Sequence, residues 1–201
     1  MLEADQLSCD KGDRPLFANL SFSLPAGQCL HVQGDNGAGK TSLLRILAGL
    51  AQPAAGVVRW CCQVREEVLQ EFRAQTLYFG HLPAIKSELS ALENLRMGLR
   101  LAAHTTSELE MQAALDWAGL KNRAHQAAGS LSAGQKRRIN LALMKLRGGQ
   151  LWVLDEPTTS LDVRGCELLQ GLLTHHLQTG GALVLTSHVP VNLPATQVLS
   201  L

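Results

Sequence analysis

The sequence predicts an α/β fold: short buried strands alternate with helices at both ends of the chain, and a helical block is inserted between them. Short apolar runs of strand length lie at 28–33, 151–154 and 182–186. Each of the first two runs straight into a polar or glycine-rich turn. From about Pro83 to Gly149 the apolar spacing is mainly helical.

The elements follow in order. Leu20 to Leu24 alternates apolar and polar residues with period two, as a half-buried strand does, and Pro25-Ala26-Gly27 ends it. Gln28 to Gln33 reads as a buried strand. Leu43, Leu44, Ile46, Leu47 and Leu50 form one helical stripe, which Gly49 and Pro53 help to end. Thr76 to Phe79 is strand-like. Ser90 with Glu93 three residues on predicts a capping box. Further helices are expected over Glu108 to Leu120 and Ser132 to Leu146. Leu151-Trp152-Val153-Leu154 suits a fully buried parallel strand. Arg164 to Gln178 reads as a helix closed by Gly180-Gly181, and Ala182 to Thr186 as the last buried strand.

Composition narrows the function classes. A chain of 201 residues is expected to be one domain, residues 1–201, able to bury about 70% of its unfolded surface. With 46% hydrophobic and 17% charged residues it is not a disordered chain. A net charge of +1 provides no global positive field for nucleic acid, and 4% aromatics is too few for a base-stacking platform. The five cysteines, at 9, 29, 61, 62 and 166, include no CxxC pair and are expected to be reduced thiols. Adjacent Cys61 and Cys62 are expected on opposite faces of a strand. The acidic opening MLEADQLSCDKGD does not resemble a signal peptide, and no apolar run reaches the roughly 18 residues a membrane span needs.

Gly34-Asp35-Asn36-Gly37-Ala38-Gly39-Lys40-Thr41 fits GxxxxGK[ST] at every fixed position. Glycines let successive backbone N–H groups turn inward onto phosphate oxygens, and the following helix points its positive end at the same anion. Lys40 is placed to reach the β and γ phosphates, and the Thr41 hydroxyl to ligate Mg²⁺. Asp155 and Glu156 stand at the carboxyl end of the buried strand Leu151–Leu154, where open α/β sheets bind ligands. Asp155 suits Mg²⁺ or its water; Glu156 suits a base for an attacking water. Leu131-Ser132-Ala133-Gly134-Gln135 opens a helix that Ser132 can cap, giving a second anion-binding helix N-terminus on the same chain. Two chains arranged head to tail can wrap two such ends around one γ-phosphate.

In this order and spacing the chain resembles the ATP-binding cassette (ABC) ATPases. Gly34 to Thr41 is similar to the Walker A loop, Leu131 to Gln135 to the LSGGQ-type signature, and Leu151 to Glu156 to Walker B with its catalytic glutamate. Ser160-Leu161-Asp162 resembles the D-loop, and His188 the switch histidine. The resemblance implies a P-loop NTPase: a RecA-like core with an antiparallel β subdomain and an inserted helical subdomain at roughly 83–149. It also implies a homodimer sandwiching two ATP molecules with Mg²⁺. Glu156, His188 and Lys40 would be catalytic. Residues 34–42, including Ser42, would hold nucleotide together with His81, Ser132, Gly134, Gln135 and Asp162, while Thr41 and Asp155 would hold the metal. The chain departs from the family twice. Ser8-Cys9-Asp10-Lys11 offers no aromatic for adenine, and Phe17, the nearest aromatic, suits a core or strand role better. His81 stands where the family carries a glutamine, though a neutral imidazole can still present one lone pair.

Residues 80–95, Gly-His-Leu-Pro-Ala-Ile-Lys-Ser-Glu-Leu-Ser-Ala-Leu-Glu-Asn-Leu, resemble the ATP-binding subunit of the cytochrome c biogenesis haem exporter, with Ala84 in place of its usual glycine. That resemblance implies a peripheral subunit on the cytoplasmic face of the bacterial inner membrane. It would act with integral membrane subunits in haem delivery or in release of a haem-loaded chaperone. The ATPase of another ABC transporter, and a soluble non-transport ABC protein, are the alternatives.

Overall fold

The computed structural model describes every residue except Asp13 and 188–191. Two compact units divide the chain. The first comprises Met1–Gly80, Gly149–Pro157 and Leu173–Leu201; the second comprises His81–Gly148 and Thr158–Leu172.

The first unit holds two sheets. β1 (Leu2–Lys11), β2 (Arg14–Leu24), β4 (Ala55–Trp60) and β5 (Gln63–Val64) form an antiparallel sheet in the order β2-β1-β4-β5. β3 (Cys29–Gln33), β6 (Thr76–Phe79), β7 (Leu151–Asp155), β8 (Ala182–Thr186) and β9 (Thr196–Ser200) form a parallel sheet in the order β6-β7-β8-β3-β9. Every residue of β7 and β8 is buried, so they are continuous apolar runs rather than alternating ones. α1 (Lys40–Leu47) adds Leu43, Leu44, Ile46 and Leu47 to a core that takes Leu7, Leu24 and Val58 from one sheet and Leu30, Val153 and Val184 from the other. The short α2 (Leu69–Gln75) places Phe72 edge-on against Trp60, with ring centroids 5.5 Å apart.

Several expectations are corrected. Leu50 is 51% exposed and outside α1, because Gly49 turns the chain with φ +71° before the stripe reaches it. Cys61 and Cys62 do not alternate across a strand. They form the exposed two-residue turn between β4 and β5, with φ +50° and +68°, the left-handed backbone of a hairpin turn that matches strand twist. Ala182–Thr186 is the last buried strand, as expected, but a further strand that was not expected, the mostly exposed β9, follows at the sheet edge beside β3. All five thiols are free; burial pushes the Cys29 thiol up to about 12, which keeps it protonated and inert.

The second unit is built on α3 (Ala91–Leu101), α4 (Glu108–Trp117) and α5 (Ala133–Arg147). Leu92, Leu95, Met111, Leu115 and Ile139 are among the residues of its own core. Each helix starts from a serine in a reciprocal capping box: Ser90 with Glu93, Ser107 with Glu110, Ser132 with Gln135. α6 (Val163–Gln178) begins in this unit, and its residues from Leu173 on belong to the first. Among the described residues no helix is long and apolar enough to cross a membrane.

One buried histidine gives the first unit a pH-dependent term. The His176 ring stacks on Trp152 at a centroid distance of 4.0 Å and 6° between planes, and its Nε2–H donates to the Ala182 carbonyl at 3.0 Å. Burial pushes its pKa below the usual histidine value. Above about pH 6.5 the ring is neutral in both folded and unfolded chains, so its contribution is complete there. Below that, the unfolded chain takes up the proton first, and stability falls by up to about 1.4 kcal/mol per pH unit until the folded value is passed. Denaturation at pH 7.5 and 5.5 should show His176→Phe less stable than wild type at the higher pH and losing less on acidification. Equal losses in both proteins would show that His176 does not contribute this term.

Candidate functional site

The chain leaves β3 into residues 34–39, the loop predicted to bind phosphate. Gly39, with φ +104°, caps α1 without a side chain, and no acid occupies the first helical turn. A Cβ on Gly39 would stand 3.0 Å from Leu16 Cβ and 3.2 Å from Phe17 Cδ1. Phe17 lies on β2 and packs on the core, the strand role expected of it. Within the loop, Ala38 N–H donates to Asp35 O at 3.2 Å. The Lys40 ammonium folds back over it, donating to the carbonyls of Gly34 (2.6 Å) and Asp35 (3.0 Å). Gly37 and Asn36 are exposed on the turn. A left-handed glycine at the helix start, no side-chain cap and an ammonium held over the loop suit a polyanion.

β7 ends beside this loop's helix. Asp155 is buried, and both carboxylate oxygens are bonded: Oδ2 accepts from Thr41 Oγ1 at 2.7 Å and Oδ1 from Thr186 Oγ1 at 2.7 Å. Thr186 stands opposite Asp155 in the parallel register of β7 and β8, and its hydroxyl also accepts the Glu156 N–H at 2.9 Å. Glu156 is 8% exposed and has φ +50°, a left-handed conformation that costs a non-glycine residue on the order of 1 kcal/mol. Sequence reasoning missed Thr186. The signal was a hydroxyl residue ending an apolar strand, but its partner appears only once register is known.

A hydroxyl and a carboxylate held within hydrogen-bond distance are hard oxygen donors of the kind Mg²⁺ takes. No cluster of three or more His, Cys, Asp or Glu occurs among the described residues. The donor set therefore fits a Mg²⁺ completed by phosphate and water rather than an all-protein cage.

Behind the loop, His31 is buried on β3. Its Nδ1 accepts from Gln33 Nε2 at 3.2 Å, and its Nε2–H faces the Ser187 carbonyl at 3.3 Å. The pair ties β3 to the end of β8. His188, expected to act as the switch histidine, lies outside the described residues.

The signature residues lie in the second unit. Ser132 Oγ accepts from Gln135 N–H at 3.2 Å, while Gln135 Oε1 accepts from Ser132 N–H at 3.0 Å. α3 and α4 close the same box with a glutamate, whereas α5 uses a glutamine and has no acid in its first turn. Its N-terminus is therefore satisfied at the cap yet keeps its positive end for an anion. A Cβ on Gly134 would lie 2.6 Å from Ser160 O, so only glycine fits there. Beside it is a cleft of about 450 Å³ lined by Ser132, Gly134, Gln135, Arg138 and Asp162 among others. The Asp162 carboxylate accepts from Gly165 N–H at 2.9 Å and from Arg138 Nη2 at 2.6 Å; these bonds hold its pKa below the usual carboxylate value. His81 is exposed, and its carbonyl accepts from Arg137 Nη1 at 3.5 Å. Residues 34–42, Asp155 and Glu156 thus belong to one unit; His81, Ser132, Gly134, Gln135 and Asp162 belong to the other.

Residues 17–159 match the sequence model of the ABC transporter family. Two relatives carry the name cytochrome c biogenesis ATP-binding export protein CcmA. The one from Dechloromonas aromatica is 48% identical over 201 residues, covering 100% of this chain and 98% of the relative. The one from Escherichia coli K12 is 43% identical over 198 residues, covering 98% and 94%. Among solved structures, a dimeric bacterial ABC transporter cassette, MJ0796, matches with a TM-score of 0.84 at 20% identity, covering 100% of this chain and 94% of that one. At that identity the likeness speaks for the fold.

The Thr186 hydroxyl should matter for stability as well as geometry. Thr186→Val keeps the shape but takes the hydroxyl away from Asp155 Oδ1 and the Glu156 N–H, and should lower unfolding free energy by about 1–3 kcal/mol. Thr186→Ser, which restores the hydroxyl, should lose clearly less in the same denaturant titration. Equal losses would mean that the methyl, not the hydroxyl, stabilises the strand end.

Proposed function

This chain belongs to the ABC transporter family, among the cytochrome c biogenesis ATP-binding export proteins, and on that premise we propose that it is the ATP-hydrolysing subunit of the haem exporter in cytochrome c maturation. One observation carries the proposal: a single chain bears a cation-bearing glycine loop with a gripped carboxylate beside it, and also a second helix N-terminus with a neutral cap.

The mechanism follows from what each group can do. The N–H groups of residues 34–42 bind phosphate oxygens, and Lys40 exchanges the carbonyls of Gly34 and Asp35 for the β and γ phosphates. Thr41 and Asp155 would hold Mg²⁺, which when bound neutralises charge building on the phosphates. Glu156 orients the attacking water and accepts its proton as the water oxygen bonds to the γ-phosphorus and the bond to ADP breaks. Glu156 follows the strand end directly, with a left-handed backbone. His188 assists as switch histidine, and His81 takes the place of the family's glutamine. Ser132, Gly134 and Gln135 of a second copy, arranged head to tail, complete the site, with Asp162 at the same surface.

Residues 1–201 act as one ATP-binding domain with a helical subdomain at roughly 83–149. It binds integral membrane subunits from the cytoplasmic face of the bacterial inner membrane and has no nucleic-acid partner. Hydrolysis drives haem delivery or release of the haem-loaded chaperone.

Glu156→Gln keeps shape and removes the base. In the assembled complex it should bind ATP, form a persistent dimer and lower turnover by about 10²-fold or more. In cells lacking the native subunit, wild type should restore c-type cytochromes and this variant should not. Unchanged turnover would assign the base to another group; turnover without restored cytochromes would favour a different transporter.

A further inference from the structure

Arg138 is not accounted for by the motif roles. It lies on α5, less than two turns beyond Ser132, and is 9% exposed. Its guanidinium reaches two elements at once. Nη1 donates to the Ala118 carbonyl, just past α4, at 2.6 Å, and Nη2 donates to Asp162 Oδ1 at 2.6 Å. That same Oδ1 accepts the Gly165 N–H and so caps the start of α6. The neighbouring glycine makes room for the fork, since a Cβ on Gly119 would lie 2.8 Å from Arg138 Nη1.

The segment from Ser160 to Asp162 meets α5 at both ends, by close approach at one and by the ion pair at the other. Ser160 O abuts Gly134, and Asp162 is held by Arg138. The Asp162 side chain is 67% exposed, so the ion pair by itself adds little stability. Its consequence is positional: two acceptors in different directions suit a rigid planar fork and not the point charge of a lysine.

We propose that Arg138 is a positioning residue for ATP hydrolysis, clasping the Ser160–Asp162 segment to the Ser132–Gln135 turn so that both meet the partner copy as one surface. The role rests on the ATPase reading above. The charge of Arg138 is engaged by Asp162, and it acts through that carboxylate.

The test uses the full chain with Arg138→Met, Arg138→Lys, Asp162→Asn and the Met/Asn double variant. Asn keeps an oxygen for the Gly165 N–H and removes the charge. Three quantities are read: ATP affinity, steady-state turnover, and amide exchange over 132–136 and 158–165. Arg138→Met should speed exchange in both segments together and lower turnover by about tenfold while leaving ATP affinity unchanged. Lys should rescue only in part, and the double variant should be no worse than the worse single one. Faster exchange in one segment alone, additive losses in the double variant, or unchanged turnover with only a lower melting temperature would each overturn the clasp. The exchange readout needs no hydrolysis, so an inactive wild type would count against the ATPase reading and leave the clasp to be decided on exchange alone.

Discussion

The Asp155 carboxylate, gripped between two threonine hydroxyls, is the constraint on which the rest of the first unit depends. A buried carboxylate is costly unless its oxygens are bonded, and each of these oxygens accepts a hydroxyl at 2.7 Å. One hydroxyl comes from the first turn of α1 and the other from the end of β8. The strand order makes this possible. β8 lies between β7 and β3, so the carboxyl ends of three adjacent parallel strands deliver the acid, its anchor and the glycine loop to one edge. The same Thr186 hydroxyl takes the Glu156 N–H and helps fix the left-handed turn that presents the proposed base.

Helix ends carry the second theme. α3 and α4 begin with acids that complete capping boxes and complement the helix dipole. α1 and α5 have none in the first turn. α1 starts from a glycine in left-handed conformation, and α5 from a serine–glutamine box that satisfies the cap without adding charge. α3 and α4 thus carry glutamate at the end that α1 and α5, where a phosphate is proposed, leave open, while α6 has no acid in its first turn and is capped by Asp162. Gly134 adds a steric condition, since Ser160 O occupies the space any side chain would need.

Much of this was legible in the sequence, for identifiable reasons. The glycine loop and the acidic strand end depend on local spacing, which survives without knowledge of the fold. β7 and β8 read as strands because both faces are buried. β1 did not, although Leu2, Ala4, Leu7 and Cys9 are its buried residues. A register shift between Ala4 and Leu7, with Gln6 at φ +49°, moves the buried set from even to odd positions and erases the period-two signal. β9 is a mostly exposed edge strand with little apolar pattern to detect. Thr186 and Arg138 are meaningful only through partners 31 and 24 residues away. Asp162, expected at the nucleotide, has partners on its own chain that no local spacing announces: its Oδ1 accepts from the Gly165 N–H and from Arg138.

In the proposed function one chain carries two half-sites, which close only on a second copy. Cysteines placed at Gly37 and at Ser132, in separately tagged copies with Cys61 and Cys62 replaced by serine, test it with a short bifunctional maleimide. A cross-linked dimer that joins the two tags should form with ATP and disappear without it. ATP bound at the glycine loop with no cross-link at any protein concentration would contradict it.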